Sequence, residues 1–261
     1  MPSRSSKLFY IIAGVVLIVI IGVYIYLQNN STPTTSALPP YLYSALLKSS
    51  NIYGETLNLN LPFQKGPSKT VWYNGSKVVV VYIGTEWCPY CAAQRWALII
   101  ALLRFGNFSG LTLLKSSDKD NPPNVPTFSF YNSVYQSNYV QFLAYEIQDR
   151  NGNNLMTLPP QYNQIFQSYQ SSIPLIIIGG VLVQVGSAVN PTPMSNMDWN
   201  WTIYNIQIQS ALGKQIIDSA NQITAAICLL SGNKPENVCK NPIIQQIEIY
   251  ISQKYNISYT M

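Results

Sequence analysis

The chain contains no histidine, which removes histidine general acid/base catalysis, Ser-His-Asp triads and histidine-ligated metal sites together. Charge is scarce as well. Asp, Glu, Lys and Arg make up 10% of the residues, against about 25% in ordinary globular proteins. The net charge of +5 comes from scattered lysines and arginines with no basic run, so nucleic acid is not an expected partner. Tyr, Asn, Ser, Gln and Thr fill the place of charge. A surface hydrated by neutral groups keeps its properties when carboxylates protonate, which suits an acidic or otherwise harsh exterior. What is plentiful is apolar surface: 48% of the 261 residues, enough for a sizeable core.

Leu8 to Leu27 is an uncharged run of 20 residues, LFYIIAGVVLIVIIGVYIYL. At helical rise it matches a hydrocarbon core of roughly 30 Å, so residues 8–27 are predicted to be a transmembrane helix. Arg4 and Lys7 precede it and no charge of either sign follows until Lys48. The positive-inside rule then keeps residues 1–7 cytoplasmic and the domain extracytoplasmic, giving a single-pass cell-membrane protein. A cleaved signal peptide is the alternative, with Thr35-Ser36-Ala37 as a cleavage-like stretch. Residues 28–40, rich in Pro, Ser and Thr, read as a polar tether, and 41–261 as the outer domain. Asn29, Asn30, Asn74, Asn107, Asn200 and Asn256 each begin an Asn-X-Ser/Thr sequon, as export would permit.

Within the outer domain, Pro40 to Lys48 reads as a short helix. Asn74-Gly75 marks a hairpin turn between 71–73 and 77–83. Val78 to Ile83 is apolar without alternation, as in a central strand covered on both faces. The chain from Cys88 reads as a buried helix, with Pro89 in its first turn and Gly106 closing it. Leu111 to Leu114 is a short strand, 127–148 is undecided, and Pro159 to Gln170 is helical. Ile173-Pro174 leads into 175–178, a Gly179-Gly180 turn and 181–185, a second hairpin. Met197, Trp201, Tyr204, Ile208 and Ala211 define one helical face ending at Gly213. Ile216, Ala220, Ile223, Ile227 and Leu230 define another, and Asn241-Pro242 opens a last helix. Helices thus dominate a C-terminal extension over about 194–255. The order of elements predicts an α/β, thioredoxin-like mixed sheet with helices on both faces.

Chemistry concentrates at Cys88-Pro89-Tyr90-Cys91. A helix N-terminus carries unpaired N–H groups and about half a positive charge, which stabilises a thiolate. Such placement lowers a cysteine pKa from about 8.5 to somewhere between 3.5 and 7.5. Cys88 is therefore the expected exposed nucleophile and Cys91, one turn further in, the resolving thiol. Trp87 is expected to shield the edge of the site, and Ile173-Pro174 to face the dithiol as a cis-proline that binds substrate backbone. Two other readings use the same residues: a zinc site completed by Cys228 and Cys239, and a permanent Cys88–Cys91 bridge. Cys228 and Cys239, with ten residues between them, read as a structural disulfide of an oxidising compartment or as an electron relay to the first pair.

Tyr82-Ile83-Gly84-Thr85-Glu86-Trp87-Cys88-Pro89-Tyr90-Cys91-Ala92-Ala93-Gln94-Arg95-Trp96-Ala97-Leu98, followed by Arg104-Phe105-Gly106, resembles a membrane-anchored thioredoxin-like family of archaea and actinobacteria known only as a domain of unknown function. Pro126-Thr127-Phe128-Ser129-Phe130, Ile173-Pro174, Ala220-Asn221 and the stretch from Ala225 through Cys228 to Cys239 match its pattern too, over roughly residues 40–245. The wider superfamily implies thiol–disulfide exchange by Cys88 and Cys91 with Pro174 as cis-proline. The Pro-Tyr pair between the thiols is similar to that of glutaredoxins. The chain departs from thioredoxins in carrying Tyr82 where a buried Asp is usual six residues before the first cysteine. The expected function is an extracytoplasmic oxidase or isomerase of exported cysteine-containing proteins, recharged by a membrane or soluble redox partner. No metal or other cofactor is implied. A non-catalytic cell-surface scaffold, with Tyr-rich loops at 131–145 as its contact surface, is the competing expectation.

Overall fold

The computed structural model describes residues 14–23, 36–55 and 57–257. Residues 14–23 are helical (α1). No helix among the described residues is long and apolar enough to cross a membrane. The rest of the 8–27 span, residues 1–7 and most of the 28–40 tether lie outside the described residues.

The folded unit begins at Ser36 rather than 41. The tether reading needs correction there, because Ser36–Ala37 (β1) pairs with Leu113 and Thr112 instead of remaining free chain. Helix α2 (Pro40–Ser50) follows, with Pro40 at its first turn, where a missing N–H costs nothing. Then come β2 (Phe63–Lys65), β3 (Tyr73–Asn74) and β4 (Lys77–Gly84). Asn74 pairs with Lys77, so the tight turn is Gly75-Ser76, one residue beyond the predicted one, with Gly75 supplying the positive φ of 60°. Helix α3 (Pro89–Leu103) leads into β5 (Gly106–Ser109), β6 (Thr112–Lys115), β7 (Pro126–Ser129), β8 (Val134–Ser137) and β9 (Val140–Glu146). Gly106 does not cap α3. It starts β5, where a Cβ would collide with the Gln136 carbonyl of β8.

The remaining elements are α4 (Pro160–Ser168), β10 (Leu175–Ile178), β11 (Leu182–Val185), α5 (Trp199–Gln207), α6 (Ala211–Leu230), α7 (Glu236–Cys239) and α8 (Pro242–Tyr255). The face predicted from Met197 to Ala211 is a second correction. Asp198 and Ser210 accept Trp201 and Gly213 N–H groups and so start two separate helices, leaving Met197 and Ala211 outside α5 and Gly213 within α6. Tyr204 and Ile208 are exposed, and α5 buries Thr202, Ile203 and Ile206.

The main sheet is mixed and runs β2-β11-β10-β4, with β3 and β9 also on β4. Strand β9 is the parallel partner, in register from Val78↔Val140 to Gly84↔Glu146. The stretch left undecided at 127–148 therefore supplies the strand that completes the centre of the sheet. The 111–114 strand falls instead in a side sheet, β1-β6-β7. Strand alternation splits the core into two layers. Val78, Val80, Tyr82, Ile176 and Ile178 face α3, α6 and α8, while Val79, Val81, Ile83, Leu175 and Ile177 face Phe166 of α4. Helices cover both sides of an α/β sheet, as expected. The dithiol sits where β4 ends and α3 begins.

Candidate functional site

Cys88 is the N-cap of α3. Its backbone is extended, and its Sγ accepts the Cys91 N–H at 3.2 Å. This is the bond a serine or aspartate makes at an ordinary helix start, here made by sulfur. Pro89 occupies the first helical position. Tyr90 turns out to solvent at 50% exposure, whereas Cys88 is 4% exposed and Cys91 0%. The exposed nucleophile expected at 88 is thus nearly covered, because its sulfur folds back over the helix start to cap it. Both cysteines are free thiols.

The two thiols are driven apart in acidity. Hydrogen bonding from Cys91 leads in holding the Cys88 thiol below its ordinary value; burial opposes it, and the Cys91 and Tyr90 N–H groups and the Arg95 charge assist. Burial pushes the Cys91 thiol well up, and the neighbouring Cys88 pushes the same way. The two thiols thus shift in opposite directions, Cys88 down and Cys91 up.

Under the dithiol lies a cluster of ionisable groups that the sequence analysis passed over. Arg95, one turn beyond Cys91, and Glu146, the last residue of β9, are both 0% exposed. Arg95 Nε donates to Glu146 Oε1 at 2.9 Å and Nη2 to Oε2 at 2.6 Å. Nη2 also donates to the Thr85 carbonyl at 2.7 Å. Burial works against the guanidinium's charge, but Glu146, Tyr82 and Cys91 outweigh it and raise its pKa above the ordinary arginine value. The signal in the sequence was a lone arginine inside a helix whose other long side chains are almost all apolar, a position where an unpaired charge is not tolerated. Glu86 is buried nearby. Desolvation raises its pKa while the Ser129 hydroxyl donates to its Oε1 at 2.6 Å.

Tyr82 of β4 is a wholly buried ring. Phe130 meets its edge at 5.2 Å and the Arg95 guanidinium lies 5.6 Å from its centre. Burial raises its pKa well above the usual phenol value, so it holds its proton. Gly84 makes room for it, since a Cβ there would strike the Tyr82 hydroxyl. Tyr82 Oη, Thr85 Oγ1 and Arg95 Nη1 are buried with no hydrogen-bond partner among the described residues.

Ile173–Pro174 is a cis peptide bond. Leu175 pairs with Ile83, so one further step of the antiparallel register brings Pro174 level with Gly84, at the dithiol end of the sheet. Trp87 Nε1 donates to Gln148 Oε1 at 2.8 Å. This pair borders two hollows. One, of about 620 Å³, is lined by Thr85, Met156, Leu158, Phe166 and Ile173; the other, of about 390 Å³, by Asp118, Lys119, Asp120 and Arg150. Neither is lined by a cysteine. Cys228 and Cys239 are joined in a disulfide between α6 and α7, which removes both from the four-thiolate zinc set.

Residues 68–229 match the family described as "Domain of unknown function (DUF929)". No curated protein and no solved structure matches the chain.

Proposed function

The chain belongs to the DUF929 family, a domain of unknown function, and from that premise we propose that it is a thioredoxin-like thiol–disulfide oxidoreductase, anchored in the cell membrane and acting on exported cysteine-containing proteins. The observation that carries the proposal is the Cys88 sulfur at the N-cap of α3, bonded to the Cys91 N–H with Cys91 buried beneath it. In the exchange, the Cys88 thiolate attacks one sulfur of a client disulfide, forming a mixed disulfide and releasing the other client sulfur as a thiolate. Cys91, once deprotonated, attacks Cys88 Sγ, releases the second client thiolate and leaves the Cys88–Cys91 disulfide. The client gains two electrons and the dithiol loses them. The reverse sequence oxidises a client, and a redox partner in the membrane or in solution restores the starting state. The α/β sheet with helices on both faces, and the level of Pro174 beside Gly84, support the thioredoxin-like reading. The uncharged run at 8–27 supports the anchor.

The scaffold reading is favoured by one observation, the 4% exposure of Cys88. Trapping decides between them. A reduced Cys91→Ser variant of the full chain, mixed with a client protein carrying scrambled disulfides, is expected to accumulate a mixed disulfide with the client through Cys88 alone, while the unaltered chain restores client activity. No Cys88 adduct and no turnover leaves the scaffold.

A further inference from the structure

Cys88, Cys91 and Arg95 stand at i, i+3 and i+7 on one face of α3. Helical side chains lean toward the N-terminus, so Arg95 reaches back under the thiols. Its Nη2 bond to the Thr85 carbonyl puts the guanidinium beneath the loop that carries Cys88. Glu146 grips two of its nitrogens from β9, and Tyr82 of β4 presents its ring. Glu86, in the loop after β4, completes the titratable groups around it. The guanidinium charge is permanent, buried, and held in one orientation by three bonds. Nη1 remains without a partner among the described residues.

We propose that Arg95, clamped by Glu146, is a positioning residue that raises the thiolate population of the Cys88–Cys91 pair, adding a fixed charge to the hydrogen bonds at the helix start where Tyr82 supplies no carboxylate base. Tyr82 holds its proton and so leaves the sulfurs without a carboxylate base at that position. A fixed cation needs no proton of its own to act. Its charge favours the anionic form of both thiols, and Glu146 partly neutralises it, so the ion pair works as a preset rather than a switch. This assignment deepens the exchange reading above and rests on Cys88 being the attacking sulfur.

The two partners make opposite predictions, which a merely structural ion pair does not. The rate of Cys88 alkylation by iodoacetamide is followed against pH in the reduced full chain, with the modified cysteine identified by mass spectrometry. Glu146→Gln keeps the shape and one acceptor but leaves the cation less compensated, and is expected to move the midpoint down. Arg95→Met with Glu146→Met removes both charges together, avoiding a stranded buried carboxylate, and is expected to move it up by less than the ~1 pH unit that marks the low end for an uncompensated opposite charge, because the two charges removed partly offset each other. Arg95→Lys is expected to lie between the unaltered chain and the double variant. An unchanged midpoint in either of the first two, once near-ultraviolet circular dichroism shows native packing, overturns the assignment. Failure of the exchange reading is separate: the midpoints then move as stated while the unaltered chain turns over no client.

Discussion

At the scale of single residues, the chain keeps few charges and several of them are buried. Cys88 owes its depressed thiol first to its bond with Cys91 and only then to backbone N–H groups and the Arg95 cation. Glu248 of α8 is a second group shifted by its surroundings, away from the dithiol. It is 2% exposed, its Oε1 has no partner among the described residues, and burial pushes its carboxyl up to about 7. A folded value above the ordinary 4.5 means that the native state prefers the protonated form. The contribution to stability is fully present below the unfolded value and is lost as pH rises through the folded one. Glu248→Gln is therefore expected to melt with the unaltered chain at about pH 4 and above it at about pH 8. Parallel melting curves at both pH values contradict this.

At the scale of elements, β4, the dithiol and α3 were legible because each carries a local signal. These are an unbroken apolar run, a cysteine followed by proline at a helix start, and a long apolar helix. The hairpin of β10 and β11 was legible for the same reason, with Gly179 and Gly180 both at positive φ between two buried strands. Strand β9 was not. Its middle residues are half-buried and mix Gln, Phe, Leu, Ala and Tyr, so neither alternation nor a uniform apolar run marks it. Its identity depends on pairing with β4 across more than fifty residues of chain. The Arg95–Glu146 pair is hidden for the same reason: its partners are 51 residues apart and meet only when β9 lies beside β4. The break between α5 and α6 was expected at Gly213 and lies instead at Ser210, because the apolar spacing runs on through Ser210 and the cap bond from Gly213 marks the start of the second helix. One expectation belongs to this scale. Cys228 and Cys239 close a loop of sequence separation 11, and replacing both by serine is expected to cost about 2.5–3 kcal/mol by loop-closure entropy. Urea denaturation of oxidised and serine-substituted chains measures it, and equal midpoints contradict it.

At the scale of the molecule, two cysteine pairs share one fold in different states: Cys228–Cys239 bridged, Cys88 and Cys91 free. That division fits a protein with one bond for stability and one pair for exchange. The scarcity of charge concentrates electrostatic effect in the few buried groups, and the most completely buried ion pair lies under the free pair. The most direct test is the reduction potential of Cys88–Cys91 in the full chain, read by alkylation after equilibration in graded glutathione or dithiothreitol buffers. An exchange-active pair is expected above about −300 mV, within the span of known dithiol oxidoreductases. A potential below about −300 mV, with Cys88 reacting no faster than Cys91, contradicts the proposed chemistry and leaves a bridged scaffold.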